Sequence, residues 1–188
     1  MGAEDVRLAL TAALASVLPA RLAEVEARLG LDAGTLAMPT LIGATDVRLI
    51  PPESWPALMV VVTTAGGRRL VEVLPEGNVY EAAYTVRLMP LVRADGFEVT
   101  GTLRDRYDAA VTHAVLAHQV LAGGRMGGSV VNRYSDVVRD EDAGATVAAS
   151  FVEFDLVVAE TVTVPTLGEV ETVEVEAAAL PPIHPALA

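Results

Sequence analysis

Apolar and polar positions along this chain fall into two alternating periods. Near the N-terminus, Val6, Leu10, Ala13, Leu14, Val17 and Leu18 recur at a spacing close to 3.6 residues, the mark of one helical face. Leu22, Val25 and Leu29 continue the stripe, so residues 4–30 are predicted to be helical. Pro19 is placed to open a second helical segment at its first turn, and Gly30 to stop the helix. The period returns over 102–121, where Leu103, Tyr107, Ala110, Val111, Ala114, Val115, His118 and Leu121 form one continuous stripe. Thr102 with Asp105 three residues on makes a weak capping box, and Gly123-Gly124 mark the end.

Elsewhere the period is two. "ALMVVVTT" (57–64) and "RRLVEVL" (68–74) are predicted strands, with Gly66-Gly67 between them as a hairpin signal. Residues 78–96 form a long strand candidate. Val79, Glu81, Ala83, Thr85, Arg87 and Met89 share one parity; Tyr80, Ala82, Tyr84, Val86 and Leu88 share the other and are the expected core face. Pro90 predicts an edge or a bend there. Two further strands, 129–140 and 145–164, flank the turn "EDAGA". "TDVRLI" is a short strand candidate inside the Pro-rich segment 31–56, and "GGRMGGS" is expected to be a flexible crossover loop. From Pro165 the chain is acidic and Pro-rich; "EVETVEVE" is a candidate added strand, whereas "LPPIHPALA" does not suit regular structure. The expected fold is α+β. An antiparallel sheet carries an N-terminal helix and a second, central helix on one face, giving one domain over 1–164 and an extension over 165–188.

Composition narrows what such a domain can do. The chain has 188 residues, 52% of them hydrophobic but only 4% aromatic, so Val, Leu and Ala must fill the core. The formal net charge is -12 and all 13 basic residues are Arg, a balance that argues against tight binding to nucleic-acid phosphates. The absence of Cys removes disulfides, thiolate zinc sites and thiol nucleophiles. The apolar run "VRLALTAALASVLPARL" contains Pro19 and carries Arg7 and Arg21, so no membrane span is expected. Glu4 and Asp5 stand where a secretory signal would be basic, which points to a product made in the cytoplasm.

Candidate chemistry is sparse. His113 and His118 are five apart, which on a helix sets them about 140° apart, so they do not chelate one ion as an i, i+4 pair does. His184 lies in the Pro-rich tail. "GGRMGG" lacks the Gly-Lys-Ser/Thr ending of a phosphate loop, and "AGGRR" precedes a strand where a dinucleotide fingerprint opens a helix. Arg104 and Asp108 suit a surface i, i+4 pair. The acidic cluster Asp136, Asp140, Glu141 and Asp142 has carboxylates that could bind Mg²⁺, but its place at a strand end and turn is ordinary for solvated charge. No catalytic, cofactor-binding or metal residues are assigned, and the expected role is mechanical or interfacial.

The order of elements resembles the lambda-type tail terminator family and, more broadly, the neck and head–tail connection proteins of tailed bacteriophages. The resemblance rests on an N-terminal helix, a strand pair, a long strand running into "TLRDRYDAAVTHAVLAHQVLAGG", and then "SVVNRYSDVVRDEDAGATVAASFVEFDLVV". It spans roughly residues 1–160; the acidic tail 165–188 and the Pro-rich segment 39–56 depart from it. It implies a non-enzymatic virion protein without cofactors: a homohexameric ring that caps the tail tube and meets the head connector, with DNA only passing through. The partners implied are copies of itself, the major tail tube protein and the connector proteins. Within that picture the edge of 78–92, with Tyr80, Tyr84, Arg87 and Met89, is the candidate contact between subunits. Asp136, Asp140, Glu141 and Asp142 form a candidate acidic loop at the lumen or interface. The alternatives are another neck or tail-completion protein, a host-encoded binding module, and a small metal-dependent enzyme using Asp136, Asp140 and Glu141.

Overall fold

The computed structural model describes residues 2–43, 50–75, 77–118, 120–121, 123–140 and 144–163. The first apolar stripe forms helix α1 (Ala3–Leu29), which buries Val6, Leu10, Leu14, Leu18, Leu22 and Val25. Pro19 lies inside this one helix and does not divide it. Pro19 and Ala15 are both on the exposed side, so the Ala15 carbonyl that loses its N–H partner faces water. Gly30 adopts φ +65°, and its N–H donates to the Ala27 carbonyl at 3.3 Å while Leu31 N–H donates to Glu26 O at 2.9 Å. That left-handed cap stops the helix where the sequence expects it. By length and composition α1 could cross a bilayer, with a mean hydropathy of 1.5, more than the sequence reading allowed. In this fold its apolar stripe faces the sheet and the second helix.

The remaining elements are β1 (Leu41–Gly43), a 3₁₀ turn at Pro52–Ser54, β2 (Ala57–Leu74), β3 (Gly77–Ala94), α2 (Phe97–Ala117), β4 (Val120–Leu121), β5 (Gly124–Tyr134), β6 (Val138–Asp140) and β7 (Ala145–Thr163). The sheet order is β1-β2-β3-β7-β5-β4, with β6 also paired to β7. Every pair is antiparallel except β1 with β2, so the sheet is mixed. Side chains alternate across it with period two. The even-numbered set Leu58, Val60, Ala82, Tyr84, Val86, Leu88, Val152, Phe154, Leu156 and Val158 packs in one core with α1 and α2. Both helices therefore cover one face, as expected for this α+β pattern. Among the described residues the opposite face has a small cluster at one end, where Ile50, Ala57 and Leu91 meet Trp55, Met59 and Ala149.

Several local expectations are corrected. Gly66-Gly67 is not a hairpin turn: β2 runs straight through it, and the register slips between Thr64 opposite Tyr84 and Arg68 opposite Ala82. Glycine marks bulges as readily as turns, and here residues 65–67 bulge against Ala83. The chain reverses later, between Leu74 and its partner Gly77. A side chain on Gly77 would meet the Val162 carbonyl oxygen at 2.6 Å, so the close approach of β7 requires glycine there. "GGRMGG" is no loop but lies in β5 from Gly124, where an added Cβ would meet Val158 Cγ2 at 2.8 Å and Val157 O at 2.9 Å. The predicted strand 129–140 is broken at residues 135–137 into β5 and β6. Helix α2 starts at Phe97, ahead of Thr102, with Gly96 at φ +89° and the Thr100 hydroxyl donating to Gly96 O at 2.8 Å. It ends at Ala117, so His118 and Leu121 lie beyond it. Pro90 marks no edge: it stands inside β3, where the pairing with β7 lapses between Leu88–Val152 and Leu91–Ala149 and resumes in the same register. Most of "TDVRLI" and the whole extension 165–188 lie outside the described residues.

Candidate assembly surface

The helices do not reach the far end of the three longest strands. β2 from Thr63 to Val73 is exposed throughout, and with the start of β3 and the end of β7 it forms a three-stranded arm. Leu70, Val71, Val73 and Val162 lie open on this arm, Val73 at 70% exposure. β1 pairs only with residues 57–59 of β2, so the rest of that strand has no neighbour on its outer side among the described residues. On the other flank, β5 pairs with β7 no further than Val157, so among the described residues 159–163 pair with β3 alone. Unpaired strand edges with apolar side chains are templates for another chain.

One buried polar cluster braces the root of the arm. Glu160 continues the even, inward parity of β7 and is 1% exposed. It accepts a short hydrogen bond from the Tyr84 hydroxyl on β3 and, at 2.7 Å, one from Arg68 Nε on β2. The cluster thus ties all three strands together beside the bulge. Burial pushes the Glu160 carboxyl up, but the Tyr84 hydroxyl and the Arg68 guanidinium outweigh burial and hold it below its ordinary value. Burial and the adjacent carboxylate raise the Tyr84 hydroxyl, and the hydrogen bond to Glu160 raises Arg68.

The odd face of the sheet, away from the helices, carries charge in cross-strand pairs. Arg87 bonds Glu153 at 2.9 Å through Nε and lies 5.9 Å from the Phe151 ring. Glu81 takes Arg69 at 2.6 Å and Arg125 at 3.7 Å, and the Arg69 hydrogen bond lowers its carboxyl. Thr85 donates to Asp155 at 3.0 Å. Such exposed pairs fix register more than they add stability.

The residues singled out from the sequence fall differently. Tyr80, Tyr84, Arg87 and Met89 all lie on β3, which is paired to β2 on one side and β7 on the other, so that strand is not a free edge; β2 holds it. Tyr84 is fully buried, Tyr80 and Met89 are half-buried, and Arg87 points to the odd face. Asp136 is exposed in the bend after β5 and Asp140 ends β6, while Glu141 and Asp142 lie outside the described residues. Among the described residues no three metal-ligating side chains cluster. His113 and His118 are both half-buried, one on α2 and one just past it. Arg104 does not pair with Asp108: it bonds Asp105 at 3.0 Å and the Ser135 carbonyl at 2.8 Å.

Asp108 instead is buried and accepts from Asn132 at 2.8 Å and the Tyr134 hydroxyl at 3.0 Å, joining α2 to β5. Burial, ahead of that hydrogen bond, raises the Tyr134 hydroxyl. Glu26, also buried, accepts from the backbone N–H of Leu36 at 2.6 Å and of Gly34 at 3.1 Å, folding the following loop back onto α1. Tyr107 donates to the Ala37 carbonyl at 2.5 Å, and burial raises its hydroxyl strongly, with the Glu26 charge adding to it. Glu160 was not singled out from the sequence, although its even position in β7 puts it on the side of Val152, Phe154, Leu156 and Val158. Asp108 has no comparable sequence signal: the sequence paired it with Arg104 at the surface, and its partners Asn132 and Tyr134 lie on a predicted strand whose place beside α2 the pattern does not give.

No family model matches the chain, and no curated protein does. Among solved structures, it is similar to a chain of a particle described as the virion of a native gene transfer agent, at 18% identity and a TM-score of 0.32, over 81% of this chain and 98% of that chain.

Proposed function

We propose that this chain is a structural protein of a phage-like virion and that it works by pairing edge to edge with copies of itself in a ring. The ring is a tail terminator: it closes the end of the tail tube and joins it to the head connector, with DNA passing through the bore. The observation that carries this reading is the arm, with an unpaired β2 edge and open Leu70, Val71 and Val73. A free edge of that length is a hazard in an isolated protein and is covered once a neighbour's strand pairs with it. At the arm the sheet has two different edges among the described residues, β2 beyond its pairing with β1 on one flank and β7 beyond its pairing with β5 on the other. Joining unlike edges head to tail closes a ring when the rotation permits. A formal charge of -12 per copy suits a bore through which DNA slides without adhering. The element order that resembles tail terminators supports the finer assignment; another neck or tail-completion protein would use the same edges.

Native mass spectrometry and negative-stain imaging of the purified protein test this reading. The expected result is a closed ring of one size with a central hole, hexameric if the terminator assignment is right. A monomer at every concentration, also in the presence of purified tail tubes, contradicts it.

A further inference from the structure

We infer that residues 159–163 of β7 in one copy pair in parallel with residues 69–74 of β2 in the next copy of the ring. The inference rests on the ring reading and adds to it which edges meet, in which direction and at which level. β2 and β7 are each antiparallel to β3, so they run the same way along the arm. Three strands per copy is an odd number, and the two outer strands are therefore parallel. A rotation about the ring axis does not reverse a strand that stands along that axis. With the arms standing so, β7 of one copy meets β2 of the next running in the same direction. A two-fold pair of copies would join like edges instead, β2 to β2, in antiparallel fashion. That arrangement leaves residues 159–163 uncovered, whereas the head-to-tail joint covers both edges of every arm.

The level of the joint follows from the strand between the two edges. Rotation also preserves height along the axis, so residues level within one arm become neighbours across the joint. Glu72 and Thr161 both pair with Val79, Val73 and Val162 both with Asn78, and Leu74 and Thr163 both with Gly77. Residues that share a β3 partner also share a face of the sheet. Val162, 47% exposed, thus comes beside Val73 of the next copy, and the open Leu70 lies on the same face. On the other face the exposed Glu72 comes beside Thr161, whose hydroxyl can donate to it. Further down, Arg69 is level with Ala159 and Leu70 with Glu160, so no like charges meet at any level. The apolar side chains that stand open in the single chain are set against one another, and each edge gains a ladder over an ordinary strand length.

The chain contains no Cys, so introduced thiols are the only ones present. Within one copy Val73 and Val162 are separated by β3, about 9.5 Å apart at two strand spacings, which is beyond the reach of a disulfide. A disulfide between these positions therefore joins two copies. The purified full chain carrying Val73→Cys with Val162→Cys is expected, on oxidation, to run on a non-reducing gel as a ladder that ends at the ring. Glu72→Cys with Thr161→Cys, on the opposite face, is expected to do the same. All four positions are exposed, so both double variants are expected to keep the parent's unfolding midpoint. Each single variant is expected to stay at monomer size. A dimer formed by Val73→Cys alone would overturn the inference, because like edges would then be meeting. Rings seen by native mass spectrometry in which neither double variant cross-links would also overturn it and would leave the ring reading standing. Absence of any ring from the unaltered chain would remove both.

Discussion

β2, β3 and β7 each pass through two environments, and the two halves are held by different forces. Under the helices, alternate side chains such as Val60, Leu88, Val152 and Leu156 are sealed into a core with α1 and α2. Each such side chain contributes about 1.5–3 kcal/mol by leaving water. In the arm no second layer covers the same strands among the described residues, and Leu70, Val71 and Val73 stay open. What holds the arm is its ladder and the Glu160 cluster at its root. One strand can therefore be sealed into a core over part of its length and stand open over the rest. The boundary between them is marked by the bulge at residues 65–67 and by the last inward polar residue of β7.

That contrast can be broken at either end. Leu88→Ala, in the helix-backed half, is expected to cost about 2–5 kcal/mol in denaturant unfolding, the range for a sealed core leucine. Glu160→Ala leaves the buried Tyr84 hydroxyl without its acceptor and is expected to cost about 1–3 kcal/mol. Glu160 also makes the arm pH-sensitive. Its folded carboxyl is held below the ordinary 4.5, so its contribution is complete above that pH and fades as pH falls through the lowered folded value. Acid titration of hydrogen exchange in residues 63–81 is expected to show this loss, and Glu160→Gln to remove it. Gly124→Ala drives a Cβ into the β7 backbone and is expected to cost about 1–3 kcal/mol by the same unfolding assay. Gly66→Ala in the bulge meets nothing within 4 Å and is expected to stay within about 0.5 kcal/mol of the parent. A large loss there would mean that the arm is packed against something else.

The sequence made the helix-backed half legible, and it made the arm legible only in part. Stripes at 3.6 and alternation at two found α1, most of α2, β3 and β7, and the inward parity of Tyr84, Val86 and Leu88, because burial on one face writes itself into the pattern. The β2 part of the arm is exposed on both faces, so its pattern carries little information, and Gly66-Gly67 looked like a turn where it is a bulge. Glycines likewise concealed the first half of β5: Gly124 is required by the close approach of β7, a contact between residues more than thirty apart in the chain. The same gap misplaced the candidate edge on Tyr80, Tyr84, Arg87 and Met89. Strand order depends on which strands pair, and β7 takes the place beside β3 from far along the sequence. Asp108 stayed hidden for the same reason, since Asn132 and Tyr134 reach it only once β5 is formed.

The central claim is that the open arm is the surface by which copies join. Val71→Lys with Val73→Lys places charge on the free β2 edge while leaving the core untouched. Analytical ultracentrifugation of that variant beside the unaltered protein tests the claim most directly. The account predicts that the unaltered chain sediments as a ring and the variant as a folded monomer with the same unfolding midpoint. A variant that assembles as well as its parent would show that the arm is not the joint.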